Sequence, residues 1–175
     1  MKSFIKETIK LVLFIFLIVL PIRYFVFQAF VVKGASMEDN FYNGEYLVID
    51  ELSLRWDSPN RGEVVVFKSP NNFGDYYIKR VVGLPGEEVK VKDGTVFIYS
   101  ETAANWSQLD ETGYLISDIA TPGEVIVSLG IEEYFVLGDN RGSSFDSRFF
   151  GSIKKQDIIG RIWLRAWPFK SFKKF

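Results

Sequence analysis

Leu11 to Ile22 is an unbroken apolar run of 12 residues, with Lys10 before it and Arg23 after it. A run this apolar has to lie in lipid or be wrapped by the rest of the chain. Alone it falls short of the roughly 20 residues that span a bilayer. Counted from Ile5, with Lys10 and Arg23 snorkelling to opposite interfaces and Tyr24 at the far one, it becomes long enough to cross. A cleavable secretory leader has the same layout but needs small residues at its cut site, and Gln28-Ala-Phe-Val-Val32 is a poor one; a buried core helix is the other alternative. Lys2, Lys6 and Lys10 ahead of the run, against Arg23 and Lys33 behind it, bias the N-terminus weakly toward the cytoplasm, with the body outside. The expected division is therefore 1–27 as cytoplasmic stub and transmembrane anchor, and 28–175 as a single body.

That body reads as mainly β, an antiparallel sheet or barrel-like domain, because its apolar runs are short and are closed by turn residues. Strand patterns cover Phe27–Val32, Glu45–Asp50, Gly62–Phe67, Tyr77–Val82 and Tyr134–Leu137, with a closing strand from Arg161. Asp93-Gly94 joins two further runs as a hairpin, and Gly123–Val127 is another strand. The section from about 88 to 130 is looser and reads as a smaller β insertion, with Ser100–Thr112 as a loop.

Composition narrows the chemistry. The 175 residues contain no histidine and no cysteine, which removes a Ser-His-Asp triad, a Cys-His pair, a Cys/His zinc site and a disulfide framework. A hydrolase of this composition is left with serine or threonine activated by lysine as its leading option. Net charge is −1, but both ends are basic and residues 34–157 hold 11 basic against 21 acidic residues, which argues against a nucleic-acid-binding body.

Two positions fit such chemistry. In Tyr77-Ile-Lys79-Arg-Val-Val, alternation puts Lys79 on one face with Tyr77 and Val81, and burial there would lower its pKa toward that of a usable base; a lysine snorkelling from an edge strand is the plain alternative. In Phe30-Val-Val-Lys-Gly-Ala-Ser36, alternation puts Phe30, Val32, Gly34 and Ser36 on one face. A hydroxyl then ends an apolar track that Gly34 lets a ligand backbone approach; a turn-capping serine is the alternative. A third region, Asp139 to Arg148, packs Asp139, Asn140, Arg141, Ser143, Ser144, Asp146, Ser147 and Arg148 behind a hydrophobic strand, enough to brace a site through carboxylate–guanidinium pairs.

Together these blocks resemble the type I signal peptidases, membrane-anchored Ser-Lys endopeptidases. The matching stretches are Gly34-Ala-Ser36-Met37, Arg61-Gly-Glu-Val-Val-Val-Phe67, Tyr77-Ile-Lys-Arg-Val-Val-Gly-Leu-Pro-Gly-Glu87 and Gly138-Asp-Asn-Arg-x-x-Ser144-x-Asp146-Ser-Arg148-x-x-Gly151, with weaker echoes at Glu45-Tyr-Leu-Val and Leu109-Asp-Glu-x-x-Tyr-Leu115. The resemblance implies Ser36 as nucleophile, Lys79 as general base and Ser144 as the group that hydrogen-bonds and orients the Lys79 amine. It implies an Asp146–Arg148 supporting ion pair, with Asp139 and Arg141 in the surrounding shell. Phe30, Val32, Met37, Phe41, Tyr77 and Ile78 fall at positions that line pockets for small substrate side chains. It further implies no cofactor and no metal, with signal peptides of preproteins and the lipid bilayer as partners.

Two departures bear on the chemistry. Where the family usually has a residue and then Pro-Thr-Leu after the Ser-Met pair, this chain has Glu38-Asp39-Asn40-Phe41. Gly34 stands where some members carry a serine that helps the oxyanion hole, which leaves the hole to backbone N–H groups such as that of Ser36. The C-terminal Trp167-Pro-Phe-Lys-Ser-Phe-Lys-Lys-Phe175 mixes aromatics with cations, a composition suited either to a bilayer interface or to packing on the body. The rivals are a soluble Ser-Lys autoprotease of the repressor-cleaving kind and a non-enzymatic, membrane-tethered β module in which Ser36 and Lys79 are incidental.

Overall fold

The structure is a computed structural model that describes residues 2–25, 27–71, 74–100, 104–115 and 119–175, with the side chains of 4–17 and, within those ranges, of 28 onward. It opens with α1 (Lys2–Phe25). From Phe4 to Leu17 the large apolar side chains of α1 are exposed, so no part of the body wraps this stretch. Among the described residues no helix is long and apolar enough to cross a membrane. The side chains of Lys2, Arg23 and Tyr24, on which part of the anchor expectation rests, lie outside the described residues.

Beyond α1 the described chain is mainly β, with one further short helix, α2 (Ser147–Phe150), and three turns of 3-10 helix. Among the described residues twelve strands follow: β1 (Phe27–Val31), β2 (Tyr46–Asp50), β3 (Val64–Lys68), β4 (Tyr76–Gly83), β5 (Glu88–Lys92), β6 (Thr95–Ser100), β7 (Asn105–Gln108), β8 (Val125–Ser128), β9 (Glu133–Leu137), β10 (Ile153–Lys154), β11 (Ile158–Trp167) and β12 (Lys173–Lys174). Eight form one sheet in the order β1-β2-β11-β3-β4-β9-β10, with β12 added to β11. β5 to β8 form a second sheet, in the order β7-β6-β5-β8. Every pairing is antiparallel. No pairing among the described residues joins β1 to β10, so the larger sheet is open rather than a closed barrel. The Asp93-Gly94 turn closes the β5–β6 hairpin with both residues at positive φ, 50° and 78°, the backbone a two-residue hairpin needs. β7 was not visible in the sequence, because Asn-Trp-Ser-Gln has no alternation of its own; pairing of Asn105–Gln108 against β6 makes it a strand.

β3 explains the layering. Its residues Val64 to Phe67 are all buried, as a strand covered on both faces must be. Val64 and Val66 join Val32, Met37, Phe41, Leu47, Ile49 and Ile162 on one face. Val65 and Phe67 join Val81, Tyr134, Val136, Ile153 and Ile158 on the other. A third cluster, with Val82, Val89, Val91, Val96, Ile98, Leu129, Phe135 and Leu137, glues the second sheet to β4 and β9. The chain's end folds back too: the rings of Phe175 and Phe41 stack at 5.1 Å, while Trp167, Phe169 and Phe172 stay exposed.

The sheets pack tightly at Gly83. A Cβ there would lie 2.4 Å from Val89 Cγ2, 2.8 Å from Leu129 Cδ1 and 2.9 Å from Phe135 Cβ. Gly83→Ala therefore overpacks this seam, and thermal denaturation is expected to show a loss of about 1–3 kcal/mol, a Tm several degrees lower.

Candidate active site

The site sits where β4 changes partners. From Tyr76 to Arg80 it pairs with β3, and from Arg80 onward it also pairs with β9. Tyr76 to Lys79 therefore have no strand on their second side among the described residues, and β1, at the end of its sheet, is likewise unpaired on one side. A cavity of about 730 Å³ lies between them, lined by β1 and its continuation to Ser36, by residues 74–79, and by Ser143 and Phe145. Phe30 and Tyr76 meet edge to face, with ring centroids 5.3 Å apart.

Ser36 follows β1 on a tight turn in which Glu38 N–H donates to the Ala35 carbonyl and Phe41 N–H to that of Met37. Gly34 has φ +87°, the left-handed region where only glycine is unstrained, and this bend presents the hydroxyl to the cavity. Lys79 Nζ lies 2.8 Å from Ser36 Oγ and donates to the Ile78 carbonyl at 2.9 Å. Lys79 is 4% exposed, and burial pushes its amine down to about 8, against the opposing pull of Asp146 and Asp139.

Both carboxylates are met by guanidinium groups. Arg80, one residue after the amine, donates through Nε to Asp139 Oδ1 at 2.8 Å and through a second nitrogen to Oδ2. Arg148 does the same to Asp146, with both distances 2.8 Å, and Asp146 also accepts from Gly138 N–H. Arg141, which the sequence placed only in the surrounding shell, is held by Glu111 and by Thr121 Oγ1 from the second sheet's connections, and it donates to the Gly138 carbonyl. Arg80, Glu111 and Thr121 were missed as site residues because their partners lie 59, 30 and 20 positions away. The weak Leu109–Leu115 echo was the one signal pointing to Glu111.

Several expected roles are placed differently. Ser144 is buried near the site, but its Oγ has no hydrogen-bond partner among the described residues. The Ile78 carbonyl, not Ser144, orients the Lys79 amine here. Ser144 instead packs against Gly138, where an added Cβ would stand 2.1 Å from Ser144 Oγ and 2.4 Å from the Ser36 carbonyl oxygen; only a residue without a side chain lets the Ser144 side chain and the Ser36 backbone both come this close. Gly34 contributes conformation rather than a donor, since its N–H is taken by Asn43 Oδ1 at 3.0 Å. Phe30, Val32, Tyr77 and Ile78 line the cavity, whereas Met37 and Phe41 do not. At 1% and 0% exposed they belong to the core beneath the Ser36 turn, because that turn curls its apolar side chains inward. Leu47, Val66 and Phe145 line the cavity instead.

A near-neutral amine in contact with a serine hydroxyl is the equipment of a Ser-Lys hydrolase, and the family comparison agrees. The family described as signal peptidase, peptidase S26, matches residues 5–167. The chain belongs to this family. It is 36% identical to a probable signal peptidase I-2 of Synechocystis sp. over 157 residues, covering 87% of this chain and 68% of that one. It is 32% identical to signal peptidase IB of Staphylococcus aureus, covering 99% and 95% respectively. Among solved structures, a signal peptidase I from Enterococcus faecalis V583 is 30% identical over 60% of this chain and 97% of that one, with a TM-score of 0.48.

In this signal peptidase family member, burial brings one amine at the cavity into the range where its charge changes near neutral pH. With Lys79 at about 8, the neutral form predominates above that value and the protonated form, which cannot accept a proton, below it. kcat/KM for peptide cleavage is expected to rise about tenfold per pH unit up to about 8 and then level, leaving roughly one hundredth of the plateau rate at pH 6. A rate flat from pH 5 to 9 excludes Lys79 as the base.

Proposed function

We propose that Ser36 is the nucleophile and Lys79 the general base with which this chain carries out its family's reaction, the removal of N-terminal signal peptides from preproteins. The chain is a serine endopeptidase of that family. The observation that carries the residue assignment is the 2.8 Å approach of a buried Lys79 amine to Ser36 Oγ at one cavity. Neutral Lys79 takes the Ser36 proton as Oγ attacks the scissile carbonyl, and the lysine then protonates the departing amine. Water deacylates the enzyme by the same route. The free sides of β1 and of Tyr76–Lys79 suit an extended substrate, which can hydrogen-bond to either as an added strand.

We read α1 as the attachment to lipid, with the N-terminus in the cytoplasm and the β body on the far side of the membrane. Its apolar side chains face outward from Phe4 to Leu17, which in water would leave a large unsheltered surface. The exposed Trp167, Phe169 and Phe172, interleaved with Lys170, Lys173 and Lys174, have the composition of an interfacial edge.

Two measurements test this reading. Incubated with a signal-bearing precursor, the full chain is expected to cut at one position behind small residues, as read by mass spectrometry. Ser36→Ala and Lys79→Arg should each lose about a thousandfold or more; Lys79→Arg keeps the charge but cannot act as base. Substantial cleavage by either variant removes that residue from its role. In cell fractionation the full chain should stay in the membrane pellet through an alkaline carbonate wash, and its release would exclude α1 as the attachment.

A further inference from the structure

The base and the nucleophile stand on different elements, β4 and the turn after β1, which the sheet joins only through three intervening strands. Asn40, at the far end of the Ser36 turn, spends both hydrogens of its side-chain amide: Nδ2 donates to the Tyr114 carbonyl at 2.6 Å and to Asp139 Oδ2 at 2.9 Å. Its own carbonyl accepts from Arg165 on β11, and its N–H donates to the Met37 carbonyl at 3.0 Å. Three separate parts of the body thus converge on one residue that does not line the cavity.

We propose that Asn40 is a positioning residue for catalysis, the link that holds the Ser36 turn in register with the Lys79 strand. The links form a closed circuit. Lys79 is followed by Arg80, Arg80 grips Asp139 with two hydrogen bonds, and Asp139 accepts from Asn40. The residue after Asp139 takes hold of the turn at its other end. Asn140 N–H donates to the Ser36 carbonyl at 3.1 Å, and its side chain donates to the Ala35 carbonyl at 3.1 Å. The Asp139-Asn140 pair therefore clamps both ends of the five-residue turn that presents Ser36. Loss of the Asn40 amide leaves Asp139, among the described residues, with the Arg80 contacts alone, and leaves that end of the turn held only through the backbone, by the Arg165 bond to the Asn40 carbonyl. Displacements of about an ångström at a reacting atom cost on the order of a hundredfold in rate.

The inference rests on the Ser36–Lys79 assignment, so its test includes a Ser36→Ala arm. If Ser36→Ala retains full activity, the assignment itself has failed. With that arm inactive, the full chain carrying Asn40→Leu, close to the same size without donors, is assayed on a peptide bearing a signal-peptide cleavage site. kcat is expected to fall about tenfold or more, with KM unchanged and a Tm showing a folded protein. Asn40 is only partly buried, so Asn40→Ala provides a second variant if the leucine does not fold, with the same expectation. An unchanged kcat in the folded variant overturns the proposal, and so does a raised KM at constant kcat, which would make Asn40 a substrate contact instead.

Discussion

Lowering the pKa of an amine while two carboxylates pull it upward is the demand that organises this molecule. Lys79 loses its hydration on the inner face of β4, and burial drives it toward the free base. Asp139 and Asp146 pull the other way, and each is itself almost wholly buried. A bare carboxylate at either place would favour the ammonium form and be costly on its own account. Two bidentate guanidinium groups, from Arg80 and Arg148, answer both difficulties at once. They compensate the carboxylates, so that desolvation decides the state of Lys79.

The second sheet belongs to the same economy of charge. Its connections supply Glu111 and Thr121 to Arg141, and Tyr114, whose ring lies 4.3 Å from the Arg80 guanidinium carbon. These contacts hold the Gly138–Arg148 loop from behind, while the cavity lies on the other side of β4. The second sheet's connections thus reach the chemistry through a chain of buried ion pairs. Gly83 lets the two sheets come together, and Gly138 lets the Ser144 side chain and the Ser36 backbone meet over it. Neither glycine announces its role in the sequence, because what each excludes is contributed by residues remote along the chain.

Much was legible beforehand because it depends on local order. Strand alternation around Lys79, the apolar track ending at Ser36 and the Asp93-Gly94 turn are properties of neighbouring residues. The absence of histidine and cysteine is a property of the whole list and needed no fold at all. Alternation could not say which side of the Ser36 turn faced the cavity. The family resemblance put Met37 and Phe41 at substrate-lining positions, and they lie in the core beneath the Ser36 turn.

The sequence by itself determined the repertoire: a β body behind an apolar N-terminal segment, with a serine and a lysine as the pair left to do hydrolytic work. Tertiary structure alone decided the partners. Asp139 faces Arg80 rather than its near neighbour Arg141, Arg141 turns to Glu111, and the Lys79 amine takes its orientation from its own strand's carbonyl instead of from Ser144. The reason is geometric. Sequence spacing sets which face of an element a side chain occupies, but hydrogen-bond length selects among groups that only the packing of β4, β9 and the loops behind them brings within 3 Å.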